Sequence, residues 1–445
     1  MLTDKSRRAF VVTLLTGTFS MSISQSALST AYPAFMQAFH LGASTVAWLT
    51  TGFMLVMSLM IPVSPWLLNN VGFKHLFQAV VGTFAIGTAL CIWAPSFSLL
   101  MIGRLLEALA VGIIFPSFQT VLLTITPQAK RGAVMGIAGL VMGSALAVGP
   151  IISGVLLTWF SWRALFGLFL IVSLLVLLAS THTIQDVMPQ NLSRLDWLSV
   201  VLAASFPALL YVLSQASNQG FSTTLLIILV IAGLAAIWFV TRLWHQPKPL
   251  LQLHVLQTGQ FRLACLLTGI SYIALIVTTV VMPLYFQTIL KVTPLVSGLS
   301  LVPAAVSLAL LNPRTGKLLD AVGPKRVVLI GMSLITIGFL LLMLLAGHLP
   351  LIGAILLACV TESGNAFVMM PAVTTGANAL PKKWLADGTA VTTTARQLLG
   401  SLGVALATAI LTQVGGIAGF RAAFLTFAVI GVIGLLLGLR LKPAK

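Results

Sequence analysis

Two glutamates, Glu107 and Glu362, lie well inside long apolar runs of this sequence. At 1.5 Å per helical residue, their depth of roughly ten to twelve residues is near the middle of a hydrocarbon layer about 30 Å thick. A charge there costs roughly 2.5–3.5 kcal/mol, so each carboxyl group needs a partner or a proton. Burial favours a neutral carboxyl and a nearby cation favours a charged one, and a group balanced between them can load and release a proton. We predict that Glu107 is the main proton carrier and that Glu362 is a second carrier or binds cationic substrate.

Both carboxylates also have structural interpretations. Arg104 and Glu107 are three residues apart and share a helix face, so they could form an ion pair with no further role. Glu362 could belong to a hydrogen-bonded polar patch with its neighbours Thr361, Ser363 and Asn365. Arg104 and Arg396 are mid-span cations, one in each half, and they could tune proton binding at the carboxylates or tie helices together.

Polar and adaptable side chains in the same runs are candidates for substrate contacts. The first apolar run is rich in hydroxyl and amide groups and is predicted to face a water-filled cavity through Ser24, Gln25 and Ser26. Methionine and aromatic side chains can repack around varied ligands. The remaining predicted substrate contacts are Phe115, Tyr272, Glu362, Asn365, Met369 and Gln397. Each of these residues alone is more often a packing residue.

The amino-acid composition indicates which kind of helix carries these polar side chains. The chain has 445 residues, 59% hydrophobic and 7% charged, against about 25% charged residues in an ordinary soluble domain. We therefore predict an all-α polytopic membrane protein with fourteen spans. The predicted spans are 9–31, 45–67, 75–94, 98–120, 133–159, 163–181, 197–216, 223–243, 263–286, 294–313, 326–346, 350–374, 389–413 and 421–440.

The basic residues predict the orientation of these spans. Three of the 24 Lys and Arg residues, Arg163, Lys291 and Arg421, fall on one side, and Arg104 and Arg396 lie within spans. The other nineteen lie on the opposite side, which the positive-inside rule assigns to the cytoplasm. Both termini are therefore expected in the cytoplasm. The net charge of +17 is distributed over short loops and does not indicate nucleic-acid binding.

The two halves of the chain repeat each other. Leu67-Leu-Asn-Asn-Val-Gly-Phe-Lys74 matches Leu318-Leu-Asp-Ala-Val-Gly-Pro-Lys325, and Glu107 and Glu362 each precede a proline by nine residues. The segments 33–37 and 283–287, and the Gly-Ser pairs at 143 and 400, match in the same order. We predict two six-helix bundles, 1–182 and 261–445, with two inserted helices and their loops in 183–260. Such parallel repeats predict a pseudo-twofold axis along the membrane normal and a site between the halves.

A stripe of small residues runs through the predicted fifth span. Small residues and Pro150 recur every three or four positions, which places them on one helix face where another helix can approach closely: Gly136, Gly139, Gly143, Ala147, Pro150 and Gly154. Pro150 removes a backbone hydrogen bond, so a bend is expected there. The predicted conformational residues in this stretch are Gly143, Gly149, Pro150 and Gly154. Plain helix packing is the alternative interpretation.

These motifs together resemble the major facilitator superfamily, and within it the fourteen-helix drug:proton antiporters of the EmrB/QacA type. The resemblance covers nearly the whole chain. Its loop signature is present as Gly316, Leu318, Asp320, Gly323, Lys325 and Arg326. The stretch around Gly149-Pro150 is similar to the antiporter motif, and Arg104 is similar to the fourth-span arginine. The resemblance implies the major facilitator fold and a loop at Asp320 that latches the two halves in one state.

Two departures from the family pattern lie within the predicted spans. Ser24 stands where the family usually has an acid in the first span, and Glu107 stands where a glutamine usually follows the fourth-span arginine. We therefore expect Glu107 to take over the role of the absent acid. In the first copy of the loop signature, Asn69 stands where the acid belongs.

The resemblance implies a secondary transporter that exports amphipathic or cationic drugs in exchange for protons by alternating access. Export of an endogenous metabolite or lipid is a second possibility, and a non-transporting membrane enzyme or sensor is the alternative of another class. The sequence has no nucleotide-binding loop, metal-ligand spacing or catalytic triad. We expect no cofactor, no metal and no enzyme activity. The expected partners are a small-molecule substrate, protons and the lipid bilayer, for a monomer in a bacterial plasma membrane.

Overall fold

A computed structural model of the protein describes residues 4–188, 190, 192–219 and 222–442, and all its regular elements in these ranges are helical. In lipid, every backbone N–H and C=O must find a partner within the protein, and a helix satisfies them within one segment. The helices of the first half are α1 (Asp4–Ala27), α2 (Tyr32–Phe39), α3 (Ala43–Val46), α4 (Trp48–Met60), α5 (Ser64–Asn70), α6 (Phe73–Ile92), α7 (Phe97–Ile125), α8 (Arg131–Trp159) and α9 (Trp162–Thr183).

The second part of the chain is also helical. Its helices are α10 (Trp197–Ala203), α11 (Ser205–Gln219), α12 (Thr223–His245), α13 (Gly259–Thr288), α14 (Pro294–Leu299), α15 (Val302–Val322), α16 (Pro324–Leu345), α17 (Leu351–Asn378), α18 (Leu385–Val414) and α19 (Gly416–Leu439). Short 3-10 segments at Leu28–Ala31, Gln128–Lys130, Leu253–Gln257 and Lys382–Trp384 join or precede some of them.

The described helices confirm a polytopic membrane protein but not the predicted count of fourteen spans. Eleven helices in the described ranges are long and apolar enough to cross a membrane, and up to thirteen spans result if each of two bent pairs is one span. The bends are 65° between α1 and α2 and 51° between α4 and α5. The predicted span 197–216 is divided between α10 and α11, and its apolar stretch, Trp197–Leu213, is too short to qualify.

The described chain divides into two compact units. The first contains residues 1–125, 145–208 and 235–252, and the second contains 126–144, 209–234 and 253–445. The boundary between Ser144 and Ala145 falls inside α8, so the first half of that helix belongs to the second unit. The predicted bundle limits at 182 and 260 stay predictions.

Each unit has its own aromatic core. In the first unit, Phe35 packs edge-on against Trp162, with ring centroids 5.3 Å apart. In the second unit, Tyr285 packs edge-on against Phe420 at 5.4 Å, and its hydroxyl donates to the carbonyl of Ala346 at 2.5 Å. These cores hold the helices that carry the polar groups described next.

Candidate functional site

Glu107 lies at the centre of a polar cluster in the first unit, called here the Glu107 cluster, with Ser24, Thr88 and Arg104. Glu107 is completely buried and forms an ion pair with Arg104, one turn earlier on α7. Thr88 Oγ1 of α6 lies 2.7 Å from Glu107 Oε1, and Ser24 Oγ of α1 lies 3.2 Å from Oε2. Three helices therefore supply partners to one buried carboxyl group.

The hydroxyl groups of this cluster can serve both protonation states of Glu107. Thr88 Oγ1 is also 2.8 Å from the carbonyl oxygen of Phe84, and a hydroxyl has only one hydrogen to donate. When Glu107 is charged, Thr88 donates to its carboxylate. When Glu107 is protonated, the acid can donate to Thr88, which turns its own hydrogen to Phe84. The carboxyl group can therefore gain or lose a proton with its heavy atoms in place.

Arg104 is held from several sides. Its Nη1 donates to Ser24 Oγ at 3.1 Å as well as to Glu107, and its guanidinium lies 4.4 Å from the centre of the Phe53 ring. The structural interpretation of an Arg104–Glu107 ion pair is therefore part of the geometry. It does not exclude proton binding, because the pair and the hydroxyl partners act on the same carboxyl group. Ser24, the residue at the position of the absent acid, contacts both members of the pair.

Glu362 lies in a different environment in the second unit. Its Oε2 accepts a hydrogen bond from Asn365 Nδ2 at 3.1 Å, and Asn365 Oδ1 accepts from Ser271 Oγ of α13 at 2.7 Å. Its Oε1 is buried with no hydrogen-bond partner among the described residues. Glu362 is 5% exposed. Of the predicted polar patch, only Asn365 contacts the carboxyl group through a hydrogen bond in this part of the chain.

Arg396 lies beside Tyr272, the residue of α13 that follows Ser271. Its guanidinium carbon is 5.1 Å from the centre of the Tyr272 ring, and the Tyr272 hydroxyl donates to Gln397 Oε1 at 3.2 Å. Arg396 is 5% exposed, and its Nε has no hydrogen-bond partner among the described residues. We call Ser271, Tyr272, Glu362, Asn365, Arg396 and Gln397 the Glu362 cluster. Unlike Arg104, Arg396 forms no ion pair with the glutamate of its own unit in the described ranges.

The small-residue face of α8 is used along most of its length. In the second unit, a methyl group added at Gly139 would meet the side chains of Asn312 and Met370, and one at Gly143 would lie 3.4 Å from Ala309 Cα. In the first unit, a methyl group at Gly149 would meet Ser26 Oγ.

The face also ends within α8. A methyl group at Gly154 would have no neighbour within 4 Å in the described chain, so the predicted close approach is not found there. The helix runs through Pro150 without interruption, and the bend at that residue stays a prediction.

Asp320 caps the start of α8 within the second unit. Its carboxylate oxygens accept hydrogen bonds from the backbone N–H groups of Gly132 and Ala133, both at 2.8 Å. A carboxylate at a helix N-terminus satisfies free N–H groups and interacts favourably with the helix dipole. Gly323 has a φ of 83° at the turn into α16, a conformation that favours glycine.

The rest of this loop signature lies around that cap. Gly316 of α15 packs against the backbone of Gly132, and Lys325 and Arg326 follow the turn as half-buried and exposed residues. Two residues of the signature, Gly316 and Asp320, therefore contact the start of α8. Its latching role stays a prediction.

The first copy of the loop signature is stabilised differently. Asp186, from the loop after α9, accepts a hydrogen bond from the backbone N–H of Lys74 at 2.9 Å near the start of α6. Asn70 Oδ1 accepts from the N–H of Ser193 at 2.6 Å. Asp186 and Ser193, which both follow α9, are thus connected to the α5–α6 turn.

An ion pair joins the inserted helices within the first unit. Asp196, at the start of α10, accepts from Arg242 Nε at 2.9 Å and Nη2 at 3.0 Å, and Ser199 donates to the same carboxylate. The Arg242 guanidinium lowers the pKa of the Asp196 carboxyl well below its usual value. The pair fixes α10 against α12 and has no evident link to either cluster.

The remaining predicted contacts are divided between the units. Phe115 is buried in the first unit and Met369 in the second, while Gln25 is half-buried on α1. Sequence reasoning missed Thr88 and Ser271, which supply hydrogen bonds to the two clusters. Both are hydroxyl-bearing residues inside apolar helices, a weak signal that becomes informative only when the helices are packed.

Comparisons with known proteins agree with this fold. The profile of the Major Facilitator Superfamily matches residues 14–404 and again 264–445. The uncharacterized MFS-type transporter YcnB of Bacillus subtilis is 36% identical, over 99% of this chain and 96% of its own length. The lincomycin resistance protein LmrB of Listeria innocua is 33% identical, over 98% of this chain and 97% of its own. The structure of the human organic anion transporter MFSD10 (TETRAN) has the same fold, with a TM-score of 0.71 at 14% identity over 97% of this chain and 99% of that one.

The chain therefore belongs to the Major Facilitator Superfamily, as the motifs predicted. Its members are membrane transporters and not enzymes. This result excludes the alternative of a membrane enzyme.

Proposed function

We propose that this protein exports amphipathic or cationic drugs in exchange for protons by alternating access. The observation that carries the proposal is the Glu107 cluster, in which a fully buried carboxyl group has partners suited to both its charged and its neutral form. The lincomycin and multidrug resistance proteins among the relatives support drug export as the direction and the substrate class.

In this proposal Glu107 is the main proton carrier. Loss of its proton strengthens the ion pair with Arg104, and gain of a proton weakens it. Because Ser24 of α1 contacts both members of the pair, the protonation state acts directly on the packing of α1 against α7. Proton binding thereby changes the relative stability of two helix arrangements, which is what coupling requires.

The Glu362 cluster is the proposed contact for the substrate. Its unpaired carboxylate oxygen is a ready acceptor for a cationic group, and Asn365 orients the other oxygen. The stretch around Gly149 and Pro150 is proposed as the flexible part of α8. The basic residues support a plasma-membrane protein with both termini in the cytoplasm, and we propose a monomer.

Transport by purified protein in proteoliposomes with an imposed pH gradient tests the proposal. We expect ethidium to accumulate when the gradient is present and to stop accumulating when nigericin collapses it. Labelled phospholipid in the same vesicles tests the second possibility, export of a lipid. No gradient-dependent movement of ethidium would contradict drug:proton exchange, and lipid movement alone would favour the second possibility.

A further inference from the structure

We propose that the Glu362 cluster recognises zwitterionic substrates, with Glu362 holding a basic amine and Arg396 holding an acidic or strongly hydrogen-bond-accepting group. This inference rests on the proposed function, and it assigns a substrate class to the second unit. It also gives Arg396 a binding role in place of the predicted role in proton coupling.

The first step of the argument is that two opposite charges are buried here without pairing. Glu362 and Arg396 are each 5% exposed, yet Glu362 Oε1 and Arg396 Nε have no hydrogen-bond partners among the described residues. An unpaired charge in the hydrocarbon layer is unfavourable. The contact of Arg396 with the Tyr272 ring offsets only part of that cost.

The second step is that both groups are linked to consecutive residues of one helix, α13. Glu362 is linked through Asn365 to Ser271, and Arg396 contacts Tyr272, the next residue of α13. Consecutive residues lie on one turn of a helix, and a helix with its side chains is about 10 Å across. One drug-sized molecule can therefore reach both charges.

The third step is the contrast with the first unit. There Arg104 and Glu107 compensate each other's charge in a direct ion pair, although Arg104 Nε has no hydrogen-bond partner among the described residues. In the second unit the two charges have separate partners: Asn365 donates a hydrogen bond to the acid, and the Tyr272 ring lies against the base. A ligand with a complementary charge at each end would satisfy both. A planar guanidinium is also the side chain best suited to a carboxylate.

Binding of three matched fluorescent probes to the full-length protein in nanodiscs tests this inference. Norfloxacin carries an amine and a carboxylate, its ethyl ester keeps only the amine, and N-acetylnorfloxacin keeps only the carboxylate. We expect norfloxacin to bind wild-type protein at least tenfold more tightly than either derivative. Arg396→Gln should remove the advantage over the ester, and Glu362→Gln should remove the advantage over the N-acetyl compound.

Controls separate ligand recognition from folding and from transport. Arg396→Lys keeps the charge and should keep most of the preference, while Arg262→Gln, an exposed arginine on α13, should change none of the three affinities. Equal changes for all probes in Arg396→Gln would contradict the inference and favour a structural role or pairing with Glu362. No change would contradict it as well. Selective binding without gradient-driven transport would refute the proposed function alone.

Discussion

An aspartate at position 24 should restore much of the folding stability that is lost when Glu107 is replaced by glutamine. Ser24 Oγ lies 3.1 Å from Arg104 Nη1 and 3.2 Å from Glu107 Oε2, so an aspartate at 24 would stand beside the same guanidinium. We predict that Glu107→Gln is strongly destabilising and that the double variant Ser24→Asp/Glu107→Gln is closer to wild type.

Because the Arg104–Glu107 ion pair is buried, the loss of stability in Glu107→Gln should be large. Removing one member of a buried ion pair costs about 3–5 kcal/mol, because the other charge is left uncompensated. Glutamine keeps a carbonyl oxygen for Arg104 and Thr88, so we expect the lower end, about 3 kcal/mol. The double variant recovers the counter-charge but loses one hydroxyl, leaving a deficit of about 1–2 kcal/mol. Ser24→Asp alone adds a second acid beside Glu107 and should be destabilising.

Unfolding by titration with sodium dodecyl sulfate measures these differences in a double-mutant cycle. The interaction between positions 24 and 107 should be at least about 2 kcal/mol in favour of the double variant. Ser22→Asp/Glu107→Gln is the matched control, because Ser22 Oγ donates to the carbonyl of Thr18 on its own helix. Additive effects at 24 and 107, or equal rescue by Ser22→Asp, would refute the reasoning.

Three further predictions concern other contacts. Thr88→Val removes the hydroxyl that serves both protonation states of Glu107 and should slow gradient-driven dye transport at least tenfold. Thr88→Ser keeps the hydroxyl, and its transport rate should stay within twofold of wild type. Equal rates in the two variants would contradict the role assigned to Thr88. Gly149→Ala should destabilise by about 1–3 kcal/mol in the same detergent titration, because its methyl group would meet α1, whereas Gly154→Ala, with no neighbour, should be neutral or slightly stabilising. Asp196→Asn should cost at most about 1 kcal/mol, as for other partly exposed pairs. Arg242 lowers the pKa of the Asp196 carboxyl in the folded protein. The stability difference between wild type and Asp196→Asn should therefore have its full value above pH 3.8 and shrink as the pH falls below it. A difference that does not change with pH would contradict the ion pair.

The sequence predicted the class of fold because its signals are local and strong. Long apolar runs, the repeat of Glu107 and Glu362 before prolines, and the loop around Asp320 were sufficient to predict a two-repeat major facilitator protein. The predicted count of fourteen spans is not confirmed, and the uncertainty lies where the helices break. Apolar composition alone does not distinguish one continuous span from the bent pair α1 and α2, or from the short α10 and α11.

The clusters were predictable only in part. The i, i+3 spacing of Arg104 and Glu107 indicated their pairing, because helix geometry fixes that contact. Thr88 and Ser271 could not be assigned, since their contacts depend on how separate helices pack. The unpaired state of Arg396 was also beyond sequence reasoning. Two mid-span charges of opposite sign suggest an ion pair, and only the packing on Tyr272 shows a different arrangement.

Ethidium transport by Glu107→Gln in proteoliposomes tests proton coupling through Glu107 most directly. Two modes are compared in the same vesicles: exchange of labelled for unlabelled ethidium without a pH gradient, and net accumulation driven by a gradient. We predict that the variant keeps exchange within a few-fold of wild type and loses net accumulation, because only the second mode requires a proton to be carried. Net accumulation at the wild-type rate would contradict the assignment of Glu107 as the proton carrier.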